Sequence, residues 1–248
     1  MATFVIVHGA WGGGWEWAAV ARALRERGHD VFTPTLTGMG DRAHLAGPHV
    51  GLDTHVDDVV SVLEFEDLRD VVLCGHSSGG MAVSGAADRV ADRVRLVVYI
   101  DALVPEDGQS ALELLPAQTP DGAEWLREPL EGWRIPVPEA LLPSETAASA
   151  VERARYIARL RDSPLAMFTE PVHLTGALDQ IAHAFIRCTG ADFGERDPIA
   201  QFAARAHSEG WLYRELETSH DPQLTDPTGT AALLDELAAT VPPESSSR

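Results

Sequence analysis

Short apolar runs along the chain alternate with longer stretches whose apolar residues recur three and four positions apart. The first run, 3–7, leads directly into His8 and Gly9, as a buried strand of a parallel sheet leads into a loop. Strands that alternate with helices of this length predict βαβ units around a mostly parallel, twisted sheet. The predicted strands are 3–7, 31–33, 71–74, 96–100, 184–188 and 211–216, and the predicted helices are 15–27, 53–65, 81–90, 198–206 and 226–239.

This alternation stops between about Pro105 and Ala182. Prolines recur there, and helical pieces such as 147–160 have no strand between them. We therefore expect an α/β core formed by 1–104 and 183–241, a helical lid inserted at 105–182, and a disordered tail at 242–248. A chain of 248 residues with 45% hydrophobic residues suits one such domain better than two small ones.

The overall charge and the N-terminus limit which partners and which cellular compartment we expect for the protein. A formal net charge of −19 argues against nucleic acid and anionic membranes as partners, because both attract basic patches. No apolar run approaches the roughly 20 residues that span a bilayer. The first strand follows Met1 so closely that no signal peptide fits before it. We expect a cytoplasmic protein that acts on a small molecule, and the oligomeric state stays open.

Two residue types limit the chemistry. All 19 basic residues are arginine, so mechanisms that need a lysine Schiff base or a lysine acid are excluded. Cys74 and Cys188 lie inside apolar strand-like runs and are expected to be buried free thiols. The histidines and cysteines have no metal-ligand spacing, so neither a metal nor a cofactor is expected.

The sequence Gly75-His76-Ser77-Ser78-Gly79 has the pattern G-x-S-x-G. The pattern alone is weak, but here an apolar strand precedes it and a helical stretch follows. A sharp strand-to-helix turn needs glycines beside the serine, because the backbone is strained and side chains there would clash. This context predicts that Ser77 is an activated nucleophile.

An activated serine needs donors for the oxyanion and a general base. The backbone N–H of Ser78 is one predicted donor, and Ala10 in the glycine-rich loop 8–14 is the second. The general base follows late in the chain in this arrangement, and His220 lies between the last predicted strand and the last helix. None of the other nine histidines lies in a loop after the final strand.

The sequence resembles the α/β-hydrolase group that contains the plant salicylate-binding methylesterases and hydroxynitrile lyases, together with their bacterial carboxylesterase relatives. The resemblance implies the α/β-hydrolase fold with an inserted lid and no cofactor. It also implies the same roles for Ser77, His220 and the amides of Ala10 and Ser78. The segments that carry the resemblance are 4–11, 14–17, 75–81, 98–105 and 219–221.

The third member of the triad is where the sequence departs from this family. Plant members place an aspartate shortly after the strand that matches 186–189, and that position falls on Ala191, with Asp192 one residue later. The alternative is Asp101 after the strand 96–100, a position where some haloalkane dehalogenases of the same fold carry their acid. A buried aspartate there needs a partner, and the histidine N–H provides one. We favour Asp101 over Asp192.

Aromatic residues suggest an apolar substrate pocket. Trp11 in the glycine loop and three aromatic residues of the lid, Trp125, Trp133 and Phe168, are candidates for its walls. The leading expectation is a serine carboxylesterase that acts through an acyl-enzyme. Alternatives are a lactonase, a thioesterase or a tailoring enzyme of secondary metabolism with the same triad, or a ligand-binding protein on a hydrolase scaffold.

Overall fold

The main sheet has six strands that all pair in parallel, in the spatial order β2-β1-β3-β4-β7-β8, and a second sheet pairs β5 with β6. The structure, a computed structural model, describes residues 1–115, 129–143, 149–191 and 197–242. The strands are β1 (Thr3–Val7), β2 (Asp30–Phe32), β3 (Val71–His76), β4 (Val94–Ile100), β5 (Arg134–Ile135), β6 (Ser163–Pro164), β7 (Ala182–Cys188) and β8 (Leu212–Leu216). The parallel sheet predicted from the apolar runs is confirmed.

Helices cover both faces of the main sheet. They are α1 (Ala18–Glu26), α2 (Leu52–Phe65), α3 (Gly79–Arg89), α4 (Ala111–Leu114), α5 (Ala150–Ile157), α6 (Ala166–Thr169), α7 (Ala200–Ser208), α8 (Pro222–Thr225) and α9 (Pro227–Thr240). Successive residues of a strand point to opposite faces. Accordingly Phe4 and Ile6 of β1 pack on the side of α1 and α9, whereas Val5 and Val7 pack on the side of α2 and α3.

The strands that carry the core are fully buried on both faces. Every residue of β3 is buried, and Leu73 lies opposite Val5 on one side and Val97 on the other. Continuous apolar runs, rather than alternating ones, are typical of strands with helices on both faces. Cys74 and Cys188 are buried free thiols, as expected.

The segment 105–182, which the sequence predicts as an inserted helical lid, contains strands as well as helices. Its described part contains the antiparallel pair β5 and β6 beside three short helices. Strands of two residues leave no alternation for a sequence pattern to reveal. The helix predicted over 147–160 spans Ala150–Ile157, and Ser149 caps its N-terminus by accepting a hydrogen bond from the Glu152 amide.

The carboxyl ends of the parallel strands meet at one edge of the sheet. Ser77 directly follows β3, Asp101 directly follows β4, and His220 lies in the loop between β8 and α8. Ligands of open α/β sheets bind outside this edge. Among the described residues, no helix has both the length and the hydropathy needed to cross a membrane.

Candidate active site

Ser77 occupies a tight turn between β3 and α3. Its φ is +52°, a left-handed conformation that costs a non-glycine residue of the order of 1–3 kcal/mol. The flanking glycines are required by space: a Cβ on Gly75 would lie 2.5 Å from a methyl group of Val83, and one on Gly79 would lie 2.5 Å from the His8 carbonyl oxygen. The strand–turn–helix context that the motif predicts is present.

A chain of two hydrogen bonds joins Asp101, His220 and Ser77. His220 Nδ1 lies 2.7 Å from Asp101 Oδ2, and His220 Nε2 lies 3.0 Å from Ser77 Oγ. With Nδ1 protonated, the histidine donates to the carboxylate and accepts from the serine hydroxyl. The structure therefore brings together the three residues that the sequence favoured. The alternative acid, Asp192, lies outside the described residues.

Asp101 is fully buried and saturated with hydrogen-bond donors. Its Oδ1 accepts from Arg187 Nη1 at 2.6 Å and from the Cys188 amide at 3.1 Å, while Oδ2 faces His220. Arg187 also forms an ion pair with Asp197. Asp101 has a φ of +44°, and its own amide donates to the Ile186 carbonyl oxygen at 2.7 Å. Sequence reasoning missed Arg187, which sits one residue before the end of β7.

The surroundings shift the pKa values of His220 and Asp101 in opposite directions. Burial lowers the pKa of His220, but the hydrogen bond to Asp101 and the charges of Asp101 and Asp221 outweigh burial and raise it above its ordinary value. Burial raises the pKa of Asp101, but the hydrogen bond and charge of His220, with Arg187 and the Cys188 amide, lower it below its ordinary value. Asp101 is thus a carboxylate, and His220 is a stronger base than a free histidine.

His76, the variable position of the motif, holds the His220 loop. Its Nε2–H donates to the His220 carbonyl oxygen at 2.7 Å, and the two rings lie 4.9 Å apart. Burial and, after it, the neighbouring His220 lower the pKa of His76 to about 3, so His76 stays neutral. Its place beside Ser77 was the one sequence signal that could have indicated this role.

The glycine loop brings Ala10 and Trp11 close to Ser77. A Cβ on Gly9 would lie 2.9 Å from Ser77 Cβ, so only glycine allows this approach. Trp11 has a φ of +62°, and its amide donates to Ser163 Oγ at 2.9 Å. Ala10 and Ser78 line the cavity beside Ser77, and within the described residues neither backbone N–H donates to a protein acceptor.

A cavity of about 370 Å³ opens over Ser77 and His220. Its apolar walls come from the glycine loop, from Leu103 and the segment 105–182, and from the two residues before α7. Trp11 and Phe168 line it as expected, whereas Trp133 is half-buried and does not, and Trp125 lies outside the described residues. The apolar lining residues are Trp11, Leu103, Leu115, Val137, Leu141, Leu142, Pro143, Leu160, Phe168, Pro198 and Ile199.

Three ionisable side chains that the sequence did not single out also line this cavity. They are Glu16, Tyr156 and Asp221. Across the described ranges, no group of three or more histidine, cysteine, aspartate or glutamate side chains is arranged to hold a metal ion.

A parallel sheet with a strained serine turn, and with an aspartate and a histidine that follow two other strands at the same edge, defines an α/β hydrolase. The model of the Alpha/beta hydrolase family matches residues 4–233, and the chain belongs to this family. The resemblance found in the sequence is confirmed.

Several relatives are esterases by name. A carbendazim hydrolyzing esterase from Nocardioides sp. (strain SG-4G) is 56% identical over 120 residues, which cover 48% of this chain and 50% of that protein. The match thus spans half the length of the Nocardioides relative. Methylesterase 10 from Arabidopsis thaliana is 28% identical over an alignment of 258 residues, which covers 95% of this chain and 91% of that protein.

Solved structures agree with the fold. An extracellular alpha/beta-hydrolase from a Paenibacillus species, described as sharing structural and functional homology with tobacco salicylic acid binding protein 2, has a TM-score of 0.84. It is 26% identical and covers 95% of this chain and 98% of its own. Methylesterase MES16 from Arabidopsis has a TM-score of 0.76 at 21% identity, with 97% of this chain and 100% of that chain covered. Together the named relatives support an ester-hydrolysing enzyme.

Proposed function

We propose that the protein is a serine esterase that hydrolyses a small ester through an acyl-enzyme. Ser77 is the nucleophile, His220 is the general base, and Asp101 orients and stabilises the imidazole. The amides of Ala10 and Ser78 form the oxyanion hole. The observation that carries this proposal is the continuous hydrogen-bond chain from Asp101 through His220 to Ser77, with distances of 2.7 and 3.0 Å.

In the first half of the reaction Ser77 Oγ attacks the ester carbonyl carbon, and its proton passes to His220 Nε2. The carbonyl oxygen becomes an oxyanion and accepts hydrogen bonds from the two amides. Asp101 stabilises the imidazolium that forms. Collapse of the tetrahedral intermediate breaks the ester bond, and His220 returns the proton to the leaving alcohol.

In the second half water replaces the alcohol. His220 takes a proton from the water as its oxygen attacks the acyl carbonyl carbon. The second tetrahedral intermediate breaks at the bond to Ser77 Oγ, and His220 gives the proton back to Ser77. The acid product leaves, and the enzyme returns to its starting state without any cofactor.

The size and lining of the cavity support a small, largely apolar substrate. A volume of about 370 Å³ lies near the lower end of the roughly 300–1,000 Å³ typical of small-molecule sites. Relatives named methylesterase and carbendazim hydrolyzing esterase favour an ester with a small alcohol part. Methyl esters of short acids, and carbendazim itself, are therefore the first substrates to test.

Covalent labelling tests the nucleophile directly. A fluorophosphonate probe is expected to form one adduct on the native protein, located at Ser77 by peptide mass analysis, and none on Ser77→Ala. Hydrolysis of p-nitrophenyl acetate is expected to fall with it. Ser61→Ala, an exposed serine on α2, serves as the matched control and keeps full labelling. An adduct that persists on Ser77→Ala, or native protein that takes no label, would contradict the proposal.

A further inference from the structure

A second group of polar side chains lies in the wall of the active-site cavity. Glu16 comes from the 3₁₀ turn Gly14–Trp17 and Tyr156 from α5, while Asp221 directly follows His220. Gln223 on α8 contacts both Tyr156 and Asp221. We call these four residues the Glu16 cluster. Nothing in the proposed ester hydrolysis uses it.

The hydrogen bonds inside the Glu16 cluster leave it short of donors. Tyr156 Oη donates to Asp221 Oδ1 at 3.2 Å, and Gln223 Nε2 donates to Tyr156 Oη at 3.1 Å and to Asp221 Oδ1 at 3.3 Å. The Glu16 carboxyl also faces the Tyr156 hydroxyl, and the Gly13 amide bonds to it. A tyrosine hydroxyl has a single proton, so it cannot serve both carboxyl groups at once.

One acceptor in the cluster has no partner. Gln223 is only 3% exposed, and its Oε1 accepts no hydrogen bond from any described residue. Leaving a buried carbonyl oxygen unpaired is unfavourable, as is burying two carboxyl groups with too few donors. Gln223 does not line the cavity, but the carboxyl groups of Glu16 and Asp221 do, so a ligand there that brings an N–H group supplies a donor that the cluster lacks.

The protonation of Glu16 reflects the same shortage. Glu16 is 8% exposed, and burial together with the charge of Asp221 raises its pKa to about 8, although the hydrogen bonds from Tyr156 and the Gly13 amide oppose this. Burial also raises the pKa of Asp221, although its hydrogen bonds and His220 oppose this. Near neutral pH the pair therefore holds an extra proton in place of a missing donor.

We propose that Glu16, Tyr156 and Asp221 form a specificity subsite that binds an N–H group of the substrate. This inference rests on the proposed function, and it narrows the substrate class to esters that carry an N–H donor beside an apolar body. The walls away from Ser77, Ser219 and His220 are mostly apolar, so the Glu16 cluster is the place outside the reacting groups where side-chain carboxyl groups face the cavity. Because Asp221 adjoins His220 in the chain, a donor held there fixes the orientation of the ester at Ser77.

Two pairs of matched esters test the subsite. Methyl 3-aminophenylacetate and methyl 3-methylphenylacetate differ only in exchanging an N–H₂ group for a methyl group of similar size, and the 4-substituted pair moves that group around the ring. We expect the native protein to prefer the amino ester of at least one pair in kcat/KM, on the order of tenfold to hundredfold, as the pairing of buried acceptors that lack a donor allows.

Variants of Glu16 show whether the Glu16 cluster recognises the substrate N–H group or only anchors α5. Glu16→Met is expected to remove the preference for the amino ester while it leaves hydrolysis of the methyl-substituted ester within about threefold, and Glu16→Gln is expected to restore part of the preference. Glu26→Gln, an exposed glutamate on α1, is the control and keeps the full preference. A cluster that only anchors α5 would change both esters equally.

Two results would overturn the inference while leaving the proposed function intact. One is equal kcat/KM for the amino and methyl esters of both pairs, and the other is a preference that survives Glu16→Met. If no ester is hydrolysed and Ser77 takes no fluorophosphonate label, the proposed function fails instead. Calorimetry with 3-aminoacetophenone and 3-methylacetophenone then decides the subsite alone: tighter binding of the amino compound that Glu16→Met abolishes supports it, and equal binding contradicts it.

Discussion

Asp101 and Glu16 are two buried carboxyl groups near the same cavity, and their surroundings shift their pKa values in opposite directions. Asp101 receives three donors, from His220, Arg187 and the Cys188 amide, and its pKa is lowered. Glu16 shares one tyrosine proton with Asp221, and its pKa is raised to about 8. Burial is common to both, so the supply of donors decides which carboxyl is charged. A charged carboxylate is suited to a catalytic triad, whereas a carboxyl group with too few hydrogen-bond donors is suited to binding a ligand that brings one.

The largest expected effect comes from removing the charge of Asp101. Asp101→Asn is expected to lower kcat for ester hydrolysis by about 10⁴-fold, because the amide favours the wrong histidine tautomer and no longer stabilises the imidazolium. Steady-state kinetics with p-nitrophenyl acetate measure it. Asp192→Asn is the matched control, with activity close to native. The reverse result would assign the triad acid to Asp192. Asp101 would then no longer be the catalytic carboxyl group with which Glu16 is compared.

Breaking the donor set of Asp101 is the next largest effect. Arg187→Met leaves two carboxylates, Asp101 and Asp197, without their shared cation. The free energy of unfolding is expected to fall by about 3 kcal/mol or more, because an uncompensated buried charge remains. Urea unfolding measures the change. Arg214→Met breaks the more exposed pair with Glu236, whose 2.7 Å distance is close to the 2.6 Å of the Arg187–Asp101 pair, and should cost no more than about 1 kcal/mol. Equal losses of unfolding free energy in both variants would mean that the buried Arg187 pair stabilises the protein no more than the exposed Arg214 pair does.

The raised pKa of Glu16 predicts that the stability of the protein depends on pH. The pKa of Glu16 is about 8 in the folded protein, against an ordinary value of 4.5. Between these values the folded state holds a proton that the unfolded state has lost. The stabilising contribution is therefore complete below about pH 4.5 and is lost as the pH rises through about 8.

Glu16→Gln stays neutral and removes this loss. Between pH 5.5 and 8 it is expected to gain about 3 kcal/mol in unfolding free energy relative to the native protein, since the two pKa values give a change of about 2.2 pKa units over this range at about 1.4 kcal/mol each. Urea unfolding at the two pH values measures the gain. Glu26→Gln should show none. A native protein whose stability difference from Glu16→Gln is the same at both pH values would mean that Glu16 is ionised when folded.

The smallest effect links the two carboxyl environments through His220. Burial lowers the pKa of His220, and against it Asp101 and, more weakly, the charge of Asp221 raise this pKa. Catalysis needs neutral His220, so activity falls as the pH drops through this pKa. Asp221→Asn is expected to move the acid limb of kcat/KM to lower pH, by less than one unit. Glu217→Gln, exposed and two residues before Ser219, should leave the limb in place.

The sequence predicted the sheet and the Ser77–His220–Asp101 contacts because both follow from local pattern and strand order. Apolar runs define strands, and the carboxyl ends of parallel strands converge, so residues 143 positions apart meet at one edge. Arg187 escaped this reasoning, since an arginine inside an apolar strand gives no hint of which acid it pairs with.

The Glu16 cluster was not predictable in the same way. Tyr156 reaches Asp221 from a segment whose short helices and two-residue strands give no periodic signal. Trp133 illustrates the same limit: its aromatic character suggested a place in the pocket wall, but it does not line the cavity. The direction in which a side chain of an irregular segment points depends on tertiary packing, which the sequence pattern does not encode.

An acid at the end of β4 rather than after β7 has a consequence for how the enzyme can diversify. In the proposed triad the loop after β7 carries no catalytic group between Gly190 and Asp197, so its length is decoupled from the chemistry. Gly190 and Pro198, on either side of this stretch, line the cavity, so we expect insertions and deletions between them to alter substrate access without removing a catalytic group. This stretch is therefore the natural place to build loop-length libraries that select for new ester substrates.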